Sequence, residues 1–140
     1  VGANASYMYT NVQLPEGGAY TNAQRSLQGA SPYLVNADIS YAPKFKNDTQ
    51  LTATLLYNLQ GPRIHAVGIS GLGDVKQEDL HTLDFVATYK LNDHWNFKLQ
   101  MTDLLNQDIV FKQEVKDGRK LEVERYGRGT TFELGFSYTL

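Results

Sequence analysis

The chain has 140 residues, enough for one domain, with 13 Lys and Arg against 15 Asp and Glu and a formal net charge of −2. Such a balance gives no field for nucleic acid, and the lack of cysteine excludes a disulfide framework and a thiolate metal site. Nine Tyr, six Phe, one Trp and twelve Gly favour pleated sheet, and no run approaches the roughly 20 apolar residues of a membrane helix.

The opening stretch VGANASYMYTNV has no basic region, no apolar core and no initiating Met, so it reads as a cut end rather than a signal peptide. It carries a weak first strand around Tyr7 and Tyr9. A long connection follows, QLPEGGAYTNAQRSLQGA (13–30). In SPYLVNADISY the odd positions are Tyr33, Val35, Ala37, Ile39 and Tyr41, and the even ones are Leu34, Asn36, Asp38 and Ser40. The connection APKFKNDTQ (42–50) is short. In LTATLLYNLQ, Leu51, Ala53, Leu55, Tyr57 and Leu59 face away from Thr52, Thr54, Asn58 and Gln60, with Leu56 the exception. The second long connection is GPRIHAVGISGLGDVKQED (61–79). In TLDFVATYKL, Leu83, Phe85, Ala87, Tyr89 and Leu91 oppose Thr82, Asp84, Thr88 and Lys90. After the short turn NDH (92–94), WNFKLQMT sets Trp95, Phe97, Leu99 and Met101 against Asn96, Lys98, Gln100 and Thr102. The third long connection, 103–129, contains DIVFKQEV and KLEVERYG about KDGRK, where Asp117-Gly118 predicts a two-residue hairpin turn in a charged hairpin that stands in water. The last strand, Thr131 to Leu140, sets Phe132, Leu134, Phe136, Tyr138 and Leu140 against Glu133, Gly135, Ser137 and Thr139. Period two is the mark of a strand, and no helical period competes with it.

A half-buried sheet of a soluble sandwich alternates in the same way. Three details favour a membrane barrel. Aromatics sit near strand ends: Tyr33 and Tyr41 bracket one strand, Trp95 opens another, and Tyr89 nearly closes a third. Tyr33 to Tyr41 spans about 26 Å at roughly 3.3 Å per residue, which a tilt of ~40° turns into about 20 Å of height. That is near the roughly 25 Å apolar band of an outer-membrane barrel. The apolar faces hold about five residues, as strands of about 9–11 residues should. Connections alternate short and long, the pattern of periplasmic turns and outer loops. The fold expected is all-β, an antiparallel up-and-down partial transmembrane barrel of about six membrane strands plus an extramembrane hairpin.

RSLQGASPYLVNADISY, LTATLLYNLQGPRI, LDFVATYKLNDHWNFKLQMTDLLNQDIVF and the terminal GTTFELGFSYTL resemble the C-terminal barrel strands of TonB-dependent outer-membrane receptors, from about Arg25 onward. The resemblance implies that residues 1–140 are the last quarter or so of a 22-stranded barrel, without its N-terminal plug. Such a receptor imports a scarce nutrient (a siderophore, metal complex, vitamin, saccharide or peptide) across the bacterial outer membrane. Implied partners are outer-membrane lipid, the rest of the barrel and plug, TonB through the absent N-terminal part, and the barrel assembly machinery. The family's terminal assembly signal falls here on Glu133, Gly135, Tyr138 and Leu140, with Leu140 where Phe is usual. The aromatics expected against lipid are Tyr33, Tyr41, Tyr89, Trp95 and Phe136. Ligand contacts are expected from the outer loops 13–30, 61–79 and 103–129, Arg63 among them.

No catalytic residue, cofactor or metal site is expected. His65 and His81 end one loop near Asp74, Glu78 and Asp79, where a cation is conceivable, but the spacing fits no compact motif. His94 stands apart. GISGLGD (68–74) is neither G-x-S-x-G nor G-x-G-x-x-G and reads as a flexible loop tip. NAS (4–6) and NDT (47–49) match a glycosylation triplet that has no meaning in a bacterial barrel. Asp38, Asp84, Lys90 and Lys98 would face the lumen, against a plug, a channel or water. Pro62 should end its strand. Two other readings stay open. A complete small barrel with an adhesion or structural role would count the charged hairpin as strands seven and eight and pair the strand near Tyr7 with the last one. A soluble ligand-binding barrel or sandwich would turn the apolar faces inward.

Overall fold

The computed structural model describes residues 1–15, 19–45, 49–115 and 117–140. Glu16, Gly17 and Gly18 of the first long connection, Lys46, Asn47 and Asp48 of the first short one (hence most of the NDT triplet) and Lys116 of the KDGRK turn lie outside the described residues. The described residues form twelve strands and no helix: β1 Gly2–Tyr7, β2 Val12–Gln13, β3 Gln24–Arg25, β4 Tyr33–Tyr41, β5 Gln50–Gln60, β6 Arg63–Ala66, β7 Val75–Gln77, β8 Leu80–Lys90, β9 Trp95–Thr102, β10 Ile109–Glu114, β11 Lys120–Tyr126 and β12 Thr131–Tyr138.

Six of these form one antiparallel meander in the order β1-β4-β5-β8-β9-β12. They are the six strands that the alternation predicts, because a period of two holds one face of every strand on one side of the sheet. The edges differ slightly from expectation: Tyr9 lies beyond β1, Leu91 beyond β8, and Thr139 and Leu140 beyond β12. Pro62 separates β5 from β6, in keeping with its missing donor.

The ladder register fixes the ends of the sheet. Tyr7 pairs with Tyr33, Leu34 with Gln60, Gln60 with Leu80, and Thr102 with Thr131. All three long connections therefore leave from one end. The two short ones share the other, where the Thr49 hydroxyl donates to Leu91 O at 3.0 Å.

The connections 61–79 and 103–129 together carry a second sheet in the order β11-β10-β7-β6, and its β6 and β7 lie where the sequence suggests a bare loop. The expected charged hairpin is present as β10–β11, but it joins β7 and β6 rather than the meander. It cannot supply strands seven and eight of a closed barrel: the six-stranded sheet is open, with β1 and β12 at opposite edges. The hairpin turn also differs from expectation. Val115 N donates to Arg119 O and Gly118 N to Val115 O, both at 2.9 Å. The last pair is thus Val115 with Arg119, one residue earlier on the first strand than a two-residue Asp117-Gly118 loop requires. Gly118 takes a φ of 79°, which is why glycine stands there.

The apolar core lies where this second sheet meets the start of β8. Leu80, Ile109 and Phe111 are buried against one another, with Val75 packed on them. Each side chain so buried contributes about 1.5–3 kcal/mol. A buried polar junction ties the link between β11 and β12 to the meander. Asp103, at the end of β9 with a φ of 57°, accepts from Arg128 Nη2 on Oδ2 at 2.9 Å. Its backbone N donates to Asp84 Oδ1 at 2.8 Å, and its carbonyl accepts from the Thr130 hydroxyl at 2.9 Å.

Candidate functional site

The larger candidate is a surface. Residues directly opposite in an antiparallel ladder point to the same side, so the register assigns every side chain of the meander to a face. One row reads Ile39, Leu55, Phe85, Met101, Phe132; the next reads Tyr41, Ala53, Ala87, Leu99, Leu134; the third reads Leu51, Tyr89, Phe97, Phe136. These rows are apolar across the sheet. Nothing in the described chain covers them: Leu134 is 86% exposed, Phe136 78% and Phe132 64%. Single exposed apolar residues are ordinary on a protein surface, whereas contiguous rows across several strands mark an interaction surface.

Aromatics close the face at both ends. At the short-turn end Trp95 meets Tyr138 with ring centroids 4.9 Å apart and stacks on Phe97 at 6.1 Å. At the other end stand Tyr7, Tyr33 and Tyr57, the last bonding His81 Nδ1 through its hydroxyl at 2.6 Å. Of the aromatics expected on one face, Tyr33, Tyr41, Tyr89, Trp95 and Phe136 all lie on it.

The opposite face is polar. Asn36 Nδ2 donates to Asn4 Oδ1 at 2.8 Å, and Asn58 Nδ2 donates to Asn36 Oδ1, so three amides run as a chain across β1, β4 and β5. Ser40 and Thr54 bond at 3.0 Å. Asp38, Asp84, Lys90 and Lys98 share this face by register, as expected, with Leu34, Leu56 and Val86 its apolar exceptions.

The residues of the terminal signal fall on β12 and just beyond it. Glu133 and Gly135 point to the polar face, and Tyr138 to the apolar one. A Cβ at Gly135 would meet only Lys98 Cβ, at 3.8 Å, an ordinary contact. The local fold therefore does not require glycine there. Thr139 N still donates to His94 O at 2.9 Å, and Leu140 projects fully into solvent.

The smaller candidate is a cleft of about 380 Å³ at the long-connection end, lined by Arg25, Ser31, Arg63, Asp74 and Lys76 among others. Arg63 was the one ligand candidate expected from the sequence, and it does line a cleft. Its Nε donates to Gln77 Oε1 at 2.9 Å, and Gln77 is 2% exposed, so the guanidinium is held in a fixed direction. Sequence reasoning placed Arg25 and Lys76 only within the expected ligand loops 13–30 and 61–79, without singling them out, and missed Ser31. They share no motif with Arg63, and only the pairing of β1, β4 and β5 brings their connections together.

The conceivable cation site does not form. The His65 ring packs on Phe111 at 4.6 Å, His81 is engaged by Tyr57, and His94 Nδ1 bonds Thr139 O at 2.8 Å. No group of three or more potential ligands gathers among the described residues. Nor is GISGLGD a loose tip. Asp74 Oδ1 accepts from Gly68 N at 2.8 Å, Leu72 N donates to Ile69 O at 3.1 Å, and the turn pairs with the first long connection through Tyr20 and Ile69. A Cβ on Gly68 would run into Leu72 O and the Gly73 backbone, so glycine is dictated by space.

No protein-family model, no curated protein and no solved structure matches the chain.

Proposed function

We propose that this chain is a stretch of transmembrane β-barrel wall in the bacterial outer membrane, of the TonB-dependent receptor type, serving nutrient import. The observation that carries the reading is the uncovered apolar face, continuous across the five strands β4, β5, β8, β9 and β12 and closed by aromatics at both ends, opposite a hydrogen-bonded polar face. Lipid is the solvent that such a face suits, since it offers apolar contact without a second protein layer. In water every exposed Leu or Phe forgoes about 1.5–3 kcal/mol of burial. A soluble sandwich would cover these rows with another sheet, and the second sheet of this chain leaves them bare. A complete eight-stranded barrel needs β1 against β12, whereas these two strands bound the sheet on opposite sides.

The receptor type rests on the resemblance of the strand sequences and on the crowding of three folded connections at one end. In this reading the end with β6, β7, β10 and β11 faces outward, and the polar face looks onto a plug. The terminal strand presents Glu133, Gly135, Tyr138 and Leu140 to the assembly machinery by strand addition.

The test is cysteine labelling in isolated outer membranes, with the full-length protein carrying Leu134→Cys, Phe85→Cys, Glu133→Cys or Asp84→Cys. Probes at 134 and 85 should be quenched by brominated acyl chains, and those at 133 and 84 should react with a charged thiol reagent. Equal reactivity of all four with the charged reagent would sink the membrane reading. A signal peptide directly before Val1 in the gene, in place of a plug domain, would sink the receptor reading alone.

A further inference from the structure

We propose that the cleft at the long-connection end binds a small solute through an oxyanion, a carboxylate or a phosphate, held by Arg25, Arg63 and Ser31 with Lys76 at its mouth. The inference deepens the reading above by giving its ligand a chemical class, and it rests on that reading only for which side of the membrane the cleft faces.

Three observations converge. First, the lining carries three cations, Arg25, Arg63 and Lys76, and a single carboxylate, Asp74. That carboxylate is already occupied: Oδ1 takes the Gly68 N–H at 2.8 Å and Oδ2 takes Asn22 Nδ2 at 3.4 Å. None of the three cations forms an ion pair among the described residues, although six other ion pairs are present. Second, two polar atoms of the lining are buried without a hydrogen-bond partner among the described residues, Arg25 Nη1 and Ser31 Oγ. Ser31 is only 8% exposed. Buried donors left empty cost about 1–3 kcal/mol each, and native proteins rarely keep them idle without a reason. Third, the two arginines are held rather than loose. Arg25 lies over the Tyr20 ring at 5.5 Å, and Arg63 is fixed through Nε by buried Gln77. With Nε engaged, Arg63 still has its terminal N–H groups to offer, and a guanidinium fork matches a carboxylate or phosphate edge.

The cleft lies on the polar side of the meander. Met8 N donates to Pro32 O at 2.8 Å and Gly61 N to Tyr33 O at 3.0 Å, so the ladder runs on past the strands. Met8, Pro32 and Pro62 thereby continue the parity of the polar face. In a closed barrel the cleft would open toward the lumen. A volume near 380 Å³ suits a solute the size of a tricarboxylate or a sugar phosphate.

The experiment is calorimetric titration of the full-length protein in detergent with citrate, with inorganic phosphate, and with glucose as a neutral probe. Citrate or phosphate should bind and glucose should not. Arg63→Gln and Arg25→Gln should each weaken anion binding at least tenfold, and Ser31→Ala and the exposed Lys76→Gln about threefold. Arg63→Lys should retain part of the affinity, while Arg125→Gln on the distant β11 should change nothing. Absence of heat with both anions, or an affinity untouched by Arg63→Gln and Lys76→Gln alike, overturns the proposal. The labelled cysteines of the preceding section, read on the same preparation in vesicles, separate the two claims. Lipid quenching without anion binding overturns the cleft and keeps the wall. Anion binding without quenching does the reverse.

Discussion

Leu134→Arg is the sharpest perturbation of the apolar face. Leu134 lies three residues from Thr131 and four from Tyr138 within β12. At about 3.4 Å per residue and a tilt of ~40°, it sits roughly 8 and 10 Å of height from the two strand ends. That is close to the middle of an apolar band of about 25 Å. The side chain is 86% exposed and so loses almost no packing within the chain on replacement. In water the substitution should therefore change stability by no more than about 0.5 kcal/mol. At a bilayer midplane an Arg costs about 2–4 kcal/mol. With about 1.4 kcal/mol per tenfold, the folded-to-unfolded ratio falls roughly 30- to 700-fold. The control is Glu133→Arg, one residue along and on the other face. The assay is reversible urea unfolding of the full-length protein from short-chain phosphatidylcholine vesicles, followed by gel mobility of the folded form. Leu134→Arg should shift the midpoint strongly and Glu133→Arg hardly at all. Equal small shifts for both would refute the reasoning, because lipid would then have no part in deciding which face is apolar.

Other consequences follow from individual contacts. Arg128→Ala strips the partner from a carboxylate that is 3% exposed and should cost about 1–3 kcal/mol in the same unfolding assay. Adding Asp103→Asn should recover part of the loss, since the stranded charge is then gone. Gly68→Ala forces a Cβ into the backbone of Leu72 and Gly73 and should cost about 1–3 kcal/mol, read as faster amide exchange across β6 and β7. Gly135→Ala should leave the urea midpoint unchanged, so any drop in assembled protein in cells would report lost recognition rather than lost stability. The hydrogen bonds from Arg125, and secondarily its charge, hold the Glu122 carboxyl below the usual carboxylate range. A carboxyl depressed in the folded state stabilises above its unfolded value, and that stability is lost as pH falls through the folded one. Amide protection of the β10–β11 hairpin should therefore fall on strong acidification, and Glu122→Gln should flatten that response.

The meander was legible in the sequence because a strand with one apolar face repeats every two residues, and five of its six strands are long enough to display several repeats. Tyr33 to Tyr41 alone fixes the face of β4. The β10–β11 half of the second sheet was legible as a charged hairpin, and the other half was hidden for the same reason. β6 and β7 span Arg63–Ala66 and Val75–Gln77, too short for alternation to stand out, and they are stabilised by pairing with β10 from far along the chain. The turn between them was misread because glycines suggest freedom, whereas Gly68 is present for lack of space. Asp103 gave no signal at all. Its role comes from a left-handed backbone and from Arg128 and Asp84, which tertiary structure delivers. Arg63 was visible as a cation beside Pro62 at a strand end, yet its companions Arg25 and Ser31 belong to another connection, and their unsatisfied groups exist only in the folded chain.

The two edges of the meander constrain the proposed wall more tightly than its face does. β1 and β12 each pair on one side only, so each leaves alternate N–H and C=O groups without partners. Water can satisfy such groups; hydrocarbon cannot, and each one stranded in lipid costs several kcal/mol. In the proposed wall the apolar face meets lipid, and the edges would be stranded there unless further strands pair with them. Both demands are met together if β1 and β12 adjoin other strands of the same barrel, and neither is met by six strands alone. The second sheet shows how an edge is handled where water is present. β11 is exposed along its whole length and carries Lys120, Glu122, Glu124 and Arg125, charges that discourage pairing with another chain. β12 carries only Glu133 and β1 no charged side chain at all. An edge with one charge or none is poorly guarded against pairing, and that difference between β11 and the two meander edges favours the proposed wall continuing on both sides.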